Sequence, residues 1–172
     1  MLVRRLPPLL PVLYAGFLSF GASAQDGSLI DGSFTRGKGP FWETGKVSIT
    51  KSEGELCATV AKGGAKPWDA QIGTGSLRLA GGKGYLLSAR ITGTAGAALL
   101  LRVQGEDEPY AAHLSRQVRL PLADDLLSVR FTSENDEPSS LIFQLGGAAE
   151  DFRLCLDDVS LRRFDWRDPF GF

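Results

Sequence analysis

Phe152-Arg153-Leu154-Cys155-Leu156-Asp157-Asp158-Val159-Ser160-Leu161 puts apolar side chains at 152, 154 and 156 and alternates them with Arg153 and Cys155. A period of two is the pattern of a strand with one face on a core and the other face outward. Val118, Leu120 and Leu122 alternate with Arg119 and Pro121 in the same way. Working outward from these, short apolar or alternating runs occur at 47–49, 56–60, 85–91, 97–103, 113–120, 127–132 and 141–145. Gly63-Gly64, Gly81-Gly82, Gly93, Gly105, Pro121 and Pro138 punctuate them at the spacing of an all-β sandwich. The best helical candidate, 123–127, is one turn long, and the sequence shows no internal repeat.

The N-terminus predicts export. Arg4 and Arg5 precede an apolar stretch, 9–20, that is broken by Pro11 and followed by Ala22-Ser23-Ala24. This is the layout of a cleavable signal peptide over 1–24, and the stretch is shorter than the roughly 20 residues of a membrane span. The expected mature protein, secreted or periplasmic, starts at Gln25. It is long enough for one domain with a full core.

Charge narrows the partners. Without Arg4 and Arg5, 17 Lys and Arg face 20 Asp and Glu, a formal charge of −3. Nucleic acid or an anionic membrane surface would call for a basic excess, so a neutral ligand suits the balance better. Catalysis finds little support. The chain has one His, no recognisable Ser-His-Asp arrangement, no His/Cys metal cluster and no Gly-rich phosphate loop. A glycosidase would need two carboxylates across a cleft, whereas 106–108, 124–125 and 134–137 fall in expected loops, where acids are usually solvated. Two cysteines in an exported chain read as one disulfide or as two buried thiols.

Five separated stretches run in order: Glu55-Leu56-Cys57, Pro67-Trp68-Asp69-Ala70-Gln71, Pro109-Tyr110, Phe143-Gln144-Leu145-Gly146-Gly147 and Leu154-Cys155-Leu156-Asp157-Asp158-Val159. Together they resemble a non-catalytic carbohydrate-binding module of the family 4/9 type, over roughly residues 28 to 162. The resemblance implies a two-sheet antiparallel β-sandwich of jelly-roll type with a concave binding face. It also implies a bridge between Cys57 and Cys155. The module then spans 25–162, leaving an aromatic tail at 163–172.

Sugars present C–H faces that pack on aromatic rings and hydroxyls that pair with planar donor–acceptor groups. The resemblance puts Trp68 at a stacking position; a core Trp is the other reading. Gln71 follows three residues on. Gln144 sits between Phe143 and Leu145, so it faces away from them, as on a polar cleft floor, or else it is an ordinary solvated Gln. Tyr110 stands where the family often has a second platform, although simple packing would also explain it. Arg102 and His113 complete the expected carbohydrate-binding set. Arg102 breaks the run 99–101, and a lone His is more often packed or solvated than a ligand contact. Trp42 matches a family Trp that packs in the core, and 29–34 approximates the family's opening strand.

Many such modules hold a structural calcium near the chain ends. Here Thr35 replaces the usual carboxylate, which leaves Asp157 and Glu53 as oxygen ligands. A structural calcium is therefore one expectation, and no cofactor is required. The implied function is a secreted, non-enzymatic protein gripping a neutral polysaccharide of the β-glucan or xylan class. The alternative is an envelope adaptor that keeps the sandwich and binds a protein. The tail carries Phe164, Trp166, Phe170 and Phe172, too aromatic for a typical disordered segment. It either packs on the sandwich or docks a glycan hydrolase or envelope protein.

Overall fold

Alternation along each strand decides which side chains meet in the interior. The computed structural model describes residues 27–165 apart from 53 and 63. The signal peptide, Glu53 and the tail from 166 onward lie outside the described residues. Ten strands are present among those described: β1 (Phe41–Gly45), β2 (Val47–Ser52), β3 (Glu55–Val60), β4 (Ala70–Arg78), β5 (Gly84–Gly93), β6 (Ala98–Gly105), β7 (Ala112–Arg119), β8 (Leu126–Thr132), β9 (Pro138–Gln144) and β10 (Phe152–Phe164). Single 3-10 turns stand at Pro67–Asp69 and Ala123–Asp125. No helix among the described residues is long and apolar enough to cross a membrane.

The strands form two antiparallel sheets, in the orders β1-β4-β9-β6-β7 and β2-β3-β10-β5-β8. The expected sandwich is therefore present. Its core comes from alternate residues of both sheets: Ile72, Leu99, Leu101, Val103, Leu141 and Phe143 from the first, and Leu56, Ala58, Leu87, Ile91, Leu154 and Leu161 from the second. Each buried aliphatic side chain contributes roughly 1.5–3 kcal/mol by leaving water. Tyr85 stacks on Phe131 with ring centroids 5.7 Å apart. Its buried hydroxyl accepts the Ala80 N–H at 2.7 Å, so the polar tip is satisfied.

Cys57 and Cys155 lie directly opposite each other on β3 and β10. They are bridged, with Cα atoms 4.0 Å apart and 98 positions between them in sequence. The bridge projects from the outward side of the second sheet, where Arg153 Nη2 donates to Cys57 Sγ at 3.3 Å.

Three expectations change. The strands β1 and β4 were not legible as strands, because Gly73 and Gly75 interrupt the apolar pattern of β4. Both glycines are covered by side chains laid across the sheet, Trp42 and Glu106 respectively. Segment 29–34 is not a strand: it makes one bridge, Gly32 to Val159, and then turns at Phe34 with φ +50°. Its role is to plug the sandwich with Ile30 and Phe34, both buried. Finally, β10 runs to Phe164, so Arg163 and Phe164 belong to the last strand rather than to the tail.

Candidate functional site

The outward face of the first sheet is assembled by register. Since Ile72, Phe143 and Leu101 point inward, their strand neighbours point outward. One row across the sheet reads Thr44, Gln71, Gln144, Leu100, Gln117. The next reads Trp42, Gly73, Ile142, Arg102, Ser115. Beyond it, Ser140 pairs with Gln104. A central apolar strip of Trp42, Ile142 and Leu100 is thus bordered by amides on both sides. Ile142 is buried although it is separate from the interior cluster.

Three buried polar atoms on this face have no hydrogen-bond partner among the described residues: Gln144 Oε1, Gln104 Oε1 and Arg102 Nε. Gln144 is only 4 % exposed. Burying an unpaired acceptor costs about 1–3 kcal/mol, so a run of such atoms on one face is a cost that a hydrogen-bonding ligand would remove. A cleft of about 770 Å³ opens at one end of the face, walled by Thr94–Leu100 and Gly146–Phe152, with Pro67, Gln117, Arg119 and Gln144 in its lining.

Of the expected residues, Gln71 and Gln144 are direct cross-strand neighbours. Gln71 Nε2 donates to the Trp68 carbonyl at 2.8 Å, which ties the amide to the rim. Trp68 is 53 % exposed in the 3-10 turn before β4, with Lys66 Nζ 5.7 Å from its ring. A core position for Trp68 is excluded, but the ring stands at the edge of the face and is not part of the cleft lining. Arg102 is central, and its Nη2 donates to the Tyr110 carbonyl at 3.3 Å.

Tyr110 is exposed in the β6–β7 loop, the opposite end of the face from Trp68. Leu100 and Gly105 lie five residues apart on β6, so the two aromatics bracket a span of about 17 Å or more. They do not share one spot.

His113 is displaced from the expected set. Its side chain is 1 % exposed and lies 3.2 Å from Glu137 Oε1. Nδ1 accepts the Glu134 N–H at 3.3 Å, so Nε2 carries the proton in the neutral ring, and Ser139 Oγ lies 3.3 Å from it. This is a packed histidine fastening the β8–β9 connection, not a residue of the open face.

Three residues were missed or misread. Trp42 is not in the core; it is half-buried on the outward face, with its ring over Gly73. Gln104 went unnoticed, although it follows Arg102 at the same two-residue period. Glu106, expected to be merely solvated, accepts from Ser76 N–H at 2.6 Å and Ser140 Oγ at 2.9 Å, closing the Tyr110 end of the face.

Of the two expected calcium ligands, Glu53 lies outside the described residues and Asp157 lies on β10. Calcium takes about six to eight oxygens. Thr35 supplies no carboxylate, and its carbonyl accepts Lys51 Nζ at 3.0 Å. Asp157 Oδ1 accepts the Asp158 N–H at 2.7 Å. Among the described residues, the one cluster with metal-ligand spacing is Glu55, Cys57 and Cys155, and its sulfurs are consumed by the disulfide.

No curated protein matches the chain significantly. Among solved structures, a CBM4 domain is 24 % identical with a TM-score of 0.70, covering 76 % of this chain and 99 % of that one. The N-terminal cellulose-binding domain of Cellulomonas fimi β-1,4-glucanase C is 24 % identical with a TM-score of 0.62, covering 73 % and 89 %. The CBM22-1 xylan-binding domain of Paenibacillus barcinonensis Xyn10C is 17 % identical with a TM-score of 0.51, covering 79 % and 94 %. At these identities the likeness establishes the fold. The profile of the 4/9 carbohydrate binding domain family matches residues 26–151. That match spans most of the chain, including the outward amide face of the first sheet, and the chain belongs to the 4/9 family of carbohydrate binding domains.

Proposed function

We propose that the outward face of the first sheet binds a neutral polysaccharide chain of the β-glucan or xylan class, and that the exported protein holds this chain without cutting it. The observation that carries the reading is the set of buried, unpartnered polar atoms on Gln144, Gln104 and Arg102. They stand beside an apolar strip that contains the Trp42 ring. Sugar hydroxyls would satisfy the former and a sugar ring would cover the latter. The structural relatives with cellulose- and xylan-binding domains support this ligand class. The bridged cysteines support an oxidising compartment.

Gln71, Gln144 and Gln117 form one row across the strands and would meet the hydroxyls of a chain laid along that row. Trp68 and Tyr110 would flank its path from the two ends of the sheet. The non-cutting reading is supported by the engagement of nearby acids: Glu106 accepts from the Ser76 N–H and Ser140 Oγ, and Asp151 Oδ1 accepts the Lys62 N–H at 2.7 Å.

Affinity gel electrophoresis against soluble β-glucans, xylans and mannans tests the proposal. Retardation by a β-glucan or a xylan is expected, with no release of reducing ends. A folded protein retarded by none of them would overturn the reading and favour a protein-binding adaptor.

A further inference from the structure

The second sheet presents a different chemistry on its outward face. The inward residues of its central and edge strands, such as Leu87, Ala89, Leu127, Val129, Leu154 and Leu161, are buried, and arginines and serines occupy the alternate positions. Arg130 and Arg162 both pair with Leu86, one from each side, so their backbones are about 10 Å apart. The neighbouring row is Ser128, Ser88 and Ser160, with the hydroxyls of Ser88 and Ser160 2.8 Å apart. Arg90 stands in the row after that.

Among the described residues, none of Arg90, Arg130 and Arg162 has a carboxylate oxygen within 4.0 Å, although the chain as a whole carries a formal charge of −1. Asp157 is the register partner of Arg90, and even it makes no ion pair. Arg130 places its Cζ 4.2 Å over the Phe164 ring. Stacking uses the flat face of the guanidinium and does not consume its in-plane N–H groups, which can still pair with a planar acceptor.

We infer that this face is a second binding surface, specific for an acidic polysaccharide whose repeating units carry carboxylates. Guanidinium forks match carboxylates in bidentate pairs, and the serine row between the arginines suits the hydroxyls of the same chain. Among the described residues of this face, the arginines and serines outnumber the apolar Leu86, Leu126 and Phe164, so a hydrated acidic chain suits it better than an interfacial membrane anchor. The molecule would then hold a neutral chain on one sheet and an acidic chain on the other.

The full chain is run in affinity gels and by calorimetry with polygalacturonate, with its fully methyl-esterified form, with duplex DNA and with anionic phospholipid vesicles. Wild type should bind polygalacturonate and not the ester. The double substitution Arg130→Gln/Arg162→Gln should weaken that binding about tenfold or more, the scale expected for losing hydrogen bonds to charged groups. Retardation by neutral glycan should be unchanged, since neither residue is on the first sheet. Arg90→Gln provides a second variant, and thermal unfolding confirms that each is folded. The inference is overturned if wild type ignores polygalacturonate, if the ester binds equally, if the variants bind like wild type, or if DNA or vesicles bind as tightly. Because the neutral-glycan gel is a separate measurement, failure here and failure of the first-sheet site are distinguishable.

Discussion

The indole of Trp42 lies directly on Gly73: a Cβ built on that glycine would overlap Trp42 Cζ2 and come within 2.7 Å of Cη2 and 2.9 Å of Cε2. No side chain larger than hydrogen allows the ring to lie flat against the sheet at that point. Trp42→Ala should weaken glycan binding by about 1–3 kcal/mol, the range for an aromatic anchor, with only a small fall in melting temperature because the ring is outside the core. Gly73→Val should reproduce the loss with Trp42 still present. Calorimetry and thermal unfolding on both variants check this. A large stability loss with unchanged affinity in Trp42→Ala would return the ring to a purely structural role.

Gln144→Leu separates binding from folding. The substitution leaves an apolar side chain one atom shorter and removes a buried oxygen that has no partner among the described residues, so stability should hold or rise. Affinity for a bound glucan or xylan should fall by about 1–3 kcal/mol, as expected when a partner hydroxyl loses its acceptor. Destabilisation with intact affinity would show that Gln144 serves the sheet alone.

Reducing the Cys57–Cys155 bridge frees a loop defined by a sequence separation of 98. Stability measured in denaturant should fall by about 2–5 kcal/mol. The bridge sits on the second sheet, so glycan affinity should persist wherever the reduced protein remains folded. A loss of affinity without unfolding would couple the two sheets more closely than their packing suggests.

Calcium should be dispensable. Since Lys51 Nζ already occupies the Thr35 carbonyl, neither added calcium nor a chelator should move the melting temperature or glycan affinity. Lys51→Met should lower the melting temperature slightly. A clear rise with calcium, which by mass action marks binding to the folded state, would mean that the ion displaces the ammonium.

Most strands were legible because they alternate over a single core. The pattern of 152–161 reads correctly as most of β10, and the break that Arg102 makes in the run 99–101 correctly marks an outward polar position. The pattern failed where a glycine replaces a side chain, in β4, because the partner filling that space comes from a residue distant in sequence. Trp42 and Gly73 are 31 positions apart in sequence, and no local period connects them. His113 failed for a related reason. Its environment is made by the loop at 133–137 and by Ser139, which only the folded chain brings to it. The outward direction of Gln144 was legible because the two residues flanking it are both core residues, which is local information.

The most direct test of the account is an amide-detected NMR titration with cellohexaose or xylohexaose. The account predicts that side-chain signals of Gln71, Gln104, Gln117 and Gln144 and the indole N–H of Trp42 shift together on saturation, while β5, β8 and β10 stay unperturbed. Saturable shifts confined to the second sheet, or none at all on the first-sheet glutamines, would contradict it.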